Sequence, residues 1–161
     1  MREIIAIAPG RTCLFGDHQD YLGLPIIACA INRHITLKAS ENNSNTFNIA
    51  LPDIHQKRTI SIHEKGLNLK KEDFFIAALR VLKRYNCIPD AGFNITITGT
   101  IPINAGASSS SALVISWVHF LLKAFGPKEL LTAESISQVA YESEVVEFNN
   151  PGGKMDQFSI G

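Results

Sequence analysis

The chain has 161 residues, 45% hydrophobic and 19% charged, and its 15 basic and 15 acidic side chains cancel. That is enough chain for one domain with a real core, and too apolar a mixture for a disordered one. With no basic stripe nucleic acid is not an expected partner, and no apolar run reaches the length of a membrane span.

Met1 to Ile5 opens without a signal-peptide layout, because Pro9-Gly10-Arg11 cuts off any apolar h-region. The expected compartment is therefore the cytoplasm. Cys13, Cys29 and Cys87 are odd in number and widely spaced, and form neither a CxxC pair nor a disulfide framework. The expectation is three buried free thiols.

Residues 2–8 alternate loosely and predict a first strand, stopped by Pro9-Gly10. Leu24 to Lys38 predicts one long strand or two joined ones. After the turn signal Asn42-Asn43-Ser44-Asn45, short strands are expected at Phe47–Ala50 and Thr59–Ile62, around Pro52-Asp53. Phe74, Ala77, Ala78, Val81, Leu82 and Tyr85 then recur at helical spacing between Asp73 and Asn86. Phe93, Ile95 and Ile97 alternate with polar residues, as a strand with one buried face does. Ser111 to Phe125 is apolar on nearly every side and predicts a buried helix. Thr132 is a fair N-cap for a helix running toward Glu147, broken at Pro151-Gly152-Gly153 before a last helical stretch from Lys154. This order reads as α+β, a two-layer mixed sheet with helices on one face. The chain stops at Gly161 directly after a motif-like stretch, and reads as a truncated piece.

Three segments carry chemistry. Pro102 to Ala112 places Gly106 and the run Ser108-Ser109-Ser110-Ser111 between a strand and a buried helix. Small side chains let a ligand approach the backbone, and the helix start offers unpaired N–H groups and the positive end of the dipole. Together these suit an anion, such as the phosphates of a nucleotide. No GxxxxGK[ST], GxGxxG or GxSxG competes with it.

The second segment, Ala8 to Tyr21, packs Arg11, Asp17, His18 and Asp20 into an expected loop, the kind of set that takes polyol hydroxyl hydrogens. Singly, His18 reads as a surface histidine, and Asp17 and Asp20 as turn formers. The third runs from Glu144 to Gln157. Magnesium-dependent phosphoryl transfer needs one carboxylate on the metal and one group to orient or deprotonate the attacking hydroxyl. Glu144 and Asp156 suit those roles. Yet Ile136, Val139, Ala140 and Ser143 define the inward helical stripe, and Glu147 falls nearer its centre than Glu144. Periodicity leaves that choice open.

Together the three segments resemble the GHMP kinases, and within that family the galactokinases. Their P-G-R-x-N-[LIV]-I-G-E-H-x-D-Y stretch is similar to Pro9 through Tyr21. Their P-x-G-[SA]-G-L-[SG]-S-S-[AS] phosphate loop is similar to Pro102 through Ser111, and their C-G-x-M-D-Q to Gly152 through Gln157. The resemblance implies the N-terminal domain of that family over residues 1–161, with the C-terminal domain absent. It implies ATP phosphates over Asn104, Ala105, Gly106, Ala107, Ser108, Ser109, Ser110 and Ser111, and Mg2+ on Ser110 and Glu144. Asp156 resembles the catalytic base and Arg11 the cation beside it. The spacing from Glu144 to Asp156 is what selects Glu144 over Glu147. Asp17, His18 and Asp20 fall where the family holds sugar hydroxyls.

The implied activity is phosphorylation of a sugar, galactose or a related hexose, at the anomeric hydroxyl. Several departures stand out: Cys13 for asparagine, Asp17 for glutamate, Asn104 for glycine, Ala107 for leucine, and Gly153 and Lys154 in place of the Cys-Gly-Ile pattern before Met-Asp-Gln. Those on the sugar side bear on which sugar is used. The rival readings are a catalytically silent sugar or nucleotide sensor, a kinase of another small alcohol such as mevalonate, and a serine hydrolase, which lacks an elbow motif.

Overall fold

The computed structural model describes residues 1–63, 69–102 and 106–161. Five strands, β1 (Glu3–Phe15), β2 (Ile27–Asn42), β3 (Thr46–Leu51), β4 (Gln56–Ser61) and β5 (Gly92–Gly99), form one sheet in the order β1-β2-β5-β3-β4. All neighbours are antiparallel except β3 and β5, so the sheet is mixed. Alternation decides its faces. Ile4, Ala6, Ala8, Leu37, Ala39, Phe47, Ile49, Ile60, Phe93, Ile95 and Ile97 are buried on one side. On the other lie Ile5, Ile7, Lys38, Asn48, Asn94 and Thr96, all exposed.

Four helices, α1 (Phe74–Arg84), α2 (Ser109–Phe125), α3 (Ala133–Tyr141) and α4 (Met155–Ile160), cover the buried face. This is the expected two-layer α+β arrangement. Helix α2, apolar all round, is its centre, with Trp117, Phe120, Leu121 and Leu122 each at most 1% exposed. Phe47 meets Trp117 edge-on with centroids 5.5 Å apart, and Phe93 meets Phe120 at 5.2 Å, the geometry that favours aromatic pairs. Such a core holds α2 fixed against β1 and β2.

Asp73 caps α1, its side chain accepting from Ile76 N–H, and also pairs with Arg58 at 2.6 Å. Thr132 caps α3 as expected, accepting from Ser135 N–H at 3.2 Å.

Three expectations are corrected. Pro9-Gly10 does not stop the first strand. β1 runs on to Phe15 with its register shifted between Pro9 and Arg11. It is an edge strand, where a missing N–H and a bulge are tolerated. The Arg11 segment is therefore strand, and only Gly16 onward is loop. Second, α3 does not continue as an α-helix toward Glu147 but widens into a π-helical turn, Glu142–Val146. Third, only Cys87 is buried. Cys13 is half-buried and Cys29 exposed, because the far ends of β1 and β2 leave Leu14, Phe15 and Ile27 exposed as well.

Candidate active site

The bulge after Pro9 aims Arg11 at the start of α2. A Cβ at Gly10 would meet the Ala107 carbonyl oxygen at 2.9 Å, so only glycine lets the loop lie this close. Arg11 N–H donates to that same carbonyl at 3.2 Å. The guanidinium Nη1 donates to Gly106 O at 2.6 Å, while Nε and Nη2 reach Asp156 Oδ1 at 2.7 and 2.6 Å. The other carboxylate oxygen, Oδ2, accepts from Ser108 Oγ at 2.6 Å and from Ser111 Oγ at 3.4 Å. A strand, a loop and a helix start thus converge on one carboxylate.

Gly106 and Ser108 both have left-handed backbones, at φ 67° and 54°. Ser108 precedes α2 without capping it by its side chain, and Ala112 N–H closes the first turn onto Ser108 O at 3.0 Å. The N–H groups of 109–111 are thereby left without intrahelical acceptors. Asn104 and Ala105 of the expected phosphate loop lie outside the described residues; Gly106, Ala107, Ser108, Ser109, Ser110 and Ser111 lie at this turn.

Glu144 and Glu147 separate cleanly. Glu147 is taken by α1, with Arg84 at 2.6 Å and Arg80 at 3.4 Å. Glu144 instead accepts from Gln157 Nε2 at 2.7 Å beside the start of α2. Burial pushes the Glu144 carboxyl above its ordinary range. The Gln157 amide and the Ser111 and Ser110 hydroxyls oppose that shift, and Asp156 adds to it. The π turn, closed by Glu147 N–H onto Glu142 O at 2.9 Å, explains why regular periodicity does not place Glu144 at the start of α2: it adds a residue to the turn and rotates its side chains off the helical stripe.

A cleft of about 310 Å3 opens over these groups, lined by Arg11, Ser111, Glu144, Asp156 and Gln157 and by all three expected sugar residues, Asp17, His18 and Asp20. Asp17 and His18 are exposed at its rim. Asp20 accepts from Met155 N–H at 3.0 Å. On the other side of the Ser109–Ser110 turn lies a more apolar cleft of about 250 Å3, walled by Ile35, Leu51, Ile54, Ile97, Ile101 and Leu113.

One residue in this site and one contact escaped the sequence reading: Gln157 holds Glu144, and Ser108, expected only under the phosphates, also donates to Asp156 through its side chain. Gln157 is 2% exposed, and among the described residues its Oε1 has no hydrogen-bond partner. The motif around Asp156 contained Gln157, but nothing in a linear string pairs it with Glu144. Among the described residues no three His, Cys, Asp or Glu side chains converge as a cation site.

Residues 71–161 match the GHMP kinases N terminal domain, and residues 1–41 match the galactokinase galactose-binding signature. A galactokinase from Candida parapsilosis is 31% identical over 166 residues, covering 96% of this chain and 32% of that protein. Among solved structures, the Methanococcus jannaschii mevalonate kinase superposes with a TM-score of 0.83 at 22% identity, over 99% of this chain and 51% of that one. The Lactococcus lactis galactokinase complexed with galactose gives 0.82 at 22%, over 98% and 41%. The chain thus spans from a third to about half the length of these relatives. Arg11, Asp17 and Asp20 lie in the first matched segment and the α2 turn, Glu144 and Asp156 in the second, and the chain belongs to the GHMP kinase family.

Proposed function

We propose that residues 1–161 are the nucleotide- and sugar-binding N-terminal domain of an ATP-dependent sugar kinase that phosphorylates galactose or a related hexose at its anomeric hydroxyl. The observation that carries this reading is the placement of Asp156. It is held by Arg11 at 2.6 Å at the foot of α2, in one cleft with residues of the galactose-binding signature.

In this reading the ATP phosphates lie over the Gly106–Ser111 turn, where unpaired N–H groups, hydroxyls and the helix dipole favour an anion. The apolar cleft beyond Ser109–Ser110 takes the nucleotide base. Ser110 and Glu144 hold Mg2+. The donor set fits: a hydroxyl and a carboxylate that has no cationic partner among the described residues. Beside them the buried Gln157 Oε1, which has no hydrogen-bond partner among the described residues, would accept from a water of the ion. Mg2+ is a hard cation that keeps waters and takes its remaining ligands from phosphate oxygens, and when bound it neutralises charge on the transferred phosphoryl group.

Asp17, His18 and Asp20 border the sugar side. Asp156 Oδ2, with lone-pair capacity beyond its Ser108 bond, accepts the proton of the sugar hydroxyl. That oxygen bonds to the γ-phosphorus as the bridging bond to the β-phosphate breaks and ADP leaves. Arg11 keeps the carboxylate pointed at the hydroxyl and balances its charge, so positioning and charge stabilisation supply most of the catalysis.

The test is mass spectrometry of galactose, N-acetylgalactosamine, glucuronate, arabinose and mevalonate incubated with Mg·ATP and the protein, with Asp156→Asn as the blank. Gain of one phosphate on a hexose, absent in the blank, supports the reading. Gain on mevalonate alone, or gain that survives Asp156→Asn, overturns it.

A further inference from the structure

Asp20 lines the cleft with the sugar-side residues, yet both of its carboxylate oxygens are already engaged by the backbone. Oδ1 accepts from Tyr21 N–H at 2.9 Å and Oδ2 from Met155 N–H at 3.0 Å. The first bond is local, inside the short 3-10 turn Asp20–Leu22. The second crosses 135 positions of sequence to the residue immediately before Asp156. At Gly153 a Cβ would run into the Asp20 carboxylate. Glycine is therefore required there so that the carboxylate can lie over the 152–153 backbone. Asp17 shares the local bond, accepting from its neighbour His18 N–H at 3.1 Å, but it is exposed and among the described residues no backbone N–H from a distant segment reaches it.

We propose that Asp20 is a positioning residue. By gripping Met155 N–H and lying over Gly153, it fixes the turn that presents Asp156 to Arg11 and Ser108. This rests on the reading of Asp156 as the group that takes the substrate proton. A hydrogen bond from a backbone N–H to a carboxylate is among the stronger kinds. Met155 and Asp156 share a peptide unit, so their Cα atoms are about 3.8 Å apart and a shift of one moves the other. Met155 is itself nearly buried, 9% exposed. That burial and the Asp20 bond together restrain the backbone from which Asp156 points.

The test needs neither nucleotide nor sugar. Amide exchange at Met155 and the Arg11 Nε–H resonance, whose proton is donated to Asp156, are followed by NMR in the wild type, Asp20→Ala, Asp20→Asn and Asp17→Asn. Thermal unfolding is measured alongside. Asp20→Ala is expected to speed Met155 exchange at least about tenfold, the protection that one charge-assisted hydrogen bond gives. It is also expected to shift the Arg11 Nε–H resonance at temperatures where the fold is intact. Asp20→Asn keeps one acceptor oxygen but sets an NH2 against the second N–H, so it should give a smaller change in both signals. It carries the test if Asp20→Ala does not fold. Asp17→Asn should leave both unchanged. Unaltered Met155 exchange in the Asp20 variants overturns the proposal. So does faster exchange with an unmoved Arg11 resonance, which would make Asp20 a cap and nothing more. A protein that phosphorylates no sugar would sink the kinase reading instead, without touching either signal.

Discussion

Arg11 and Asp156, 145 positions apart in the sequence, meet through two nitrogens on one carboxylate oxygen, at 2.7 and 2.6 Å. The remaining guanidinium nitrogen binds Gly106 O at 2.6 Å. One side chain therefore ties the phosphate turn to the expected base, and removing Arg11 acts on both.

Asp156→Asn is expected to lower kcat by ~10²–10⁴-fold, the usual worth of a positioned general base, with little change in ATP affinity. Arg11→Lys should also lower kcat, because an ammonium cannot reproduce the forked contact, and it should weaken ATP binding through the loosened Gly106 turn. Steady-state kinetics beside nucleotide titration separates the two. Equal losses in turnover and nucleotide binding for Asp156→Asn would count against its assignment.

Glu144 gives a pH signature. Its folded carboxyl sits above the ordinary value of 4.5, chiefly through burial. Between the ordinary and the raised value the folded state binds more protons than the unfolded one. Stability is thus highest below that window and falls as pH rises through it. Glu144→Gln cannot ionise, so it should be more stable than the wild type at pH 7 and lose that advantage at pH 4. Added Mg2+ with ATP should raise the melting temperature of the wild type only. Melts across pH check both, and a variant less stable at pH 7 would refute the burial argument.

Ser108 combines a left-handed backbone, φ 54°, with a 2.6 Å bond to Asp156. Ser108→Gly relieves a backbone cost of about 1 kcal/mol while losing that bond. Ser108→Ala loses the bond and keeps the cost. Urea unfolding should place glycine at or above the wild type and alanine about 1 kcal/mol below it, with turnover reduced in both. Alanine as stable as glycine would show the backbone to be unstrained.

The cysteines should differ in reactivity. Cys87 is buried, and desolvation lifts its thiol to about 12, so almost no thiolate exists at neutral pH. Cys29 is exposed and Cys13 half-buried. A thiol reagent at pH 8 should modify Cys29 first and Cys13 next, and reach Cys87 only on unfolding. Rapid modification of all three in the folded protein would contradict this burial pattern.

Much of the architecture was legible in the string because periodicity is local. The alternation at Phe93–Ile97, the all-round apolar run of α2 and the Thr132 cap each specify an element without reference to the rest of the chain. The motifs named the groups as well: Arg11, the serine run, Glu144 and Asp156.

What the string left open is whatever depends on distant neighbours. Pro9-Gly10 reads as a stop, but β1 is an edge strand and passes through it, since an edge does not need every N–H. Glu147 fits the helical stripe, but a π turn rotates Glu144 toward Gln157 and leaves Glu147 to Arg84. Asp20 reads as a polyol contact, and that it also accepts Met155 N–H from the other end of the chain is visible only in the fold. Propensity and spacing act over a few residues, whereas a hydrogen bond across 135 positions exists only once the sheet and α2 have brought its two loops to one cleft.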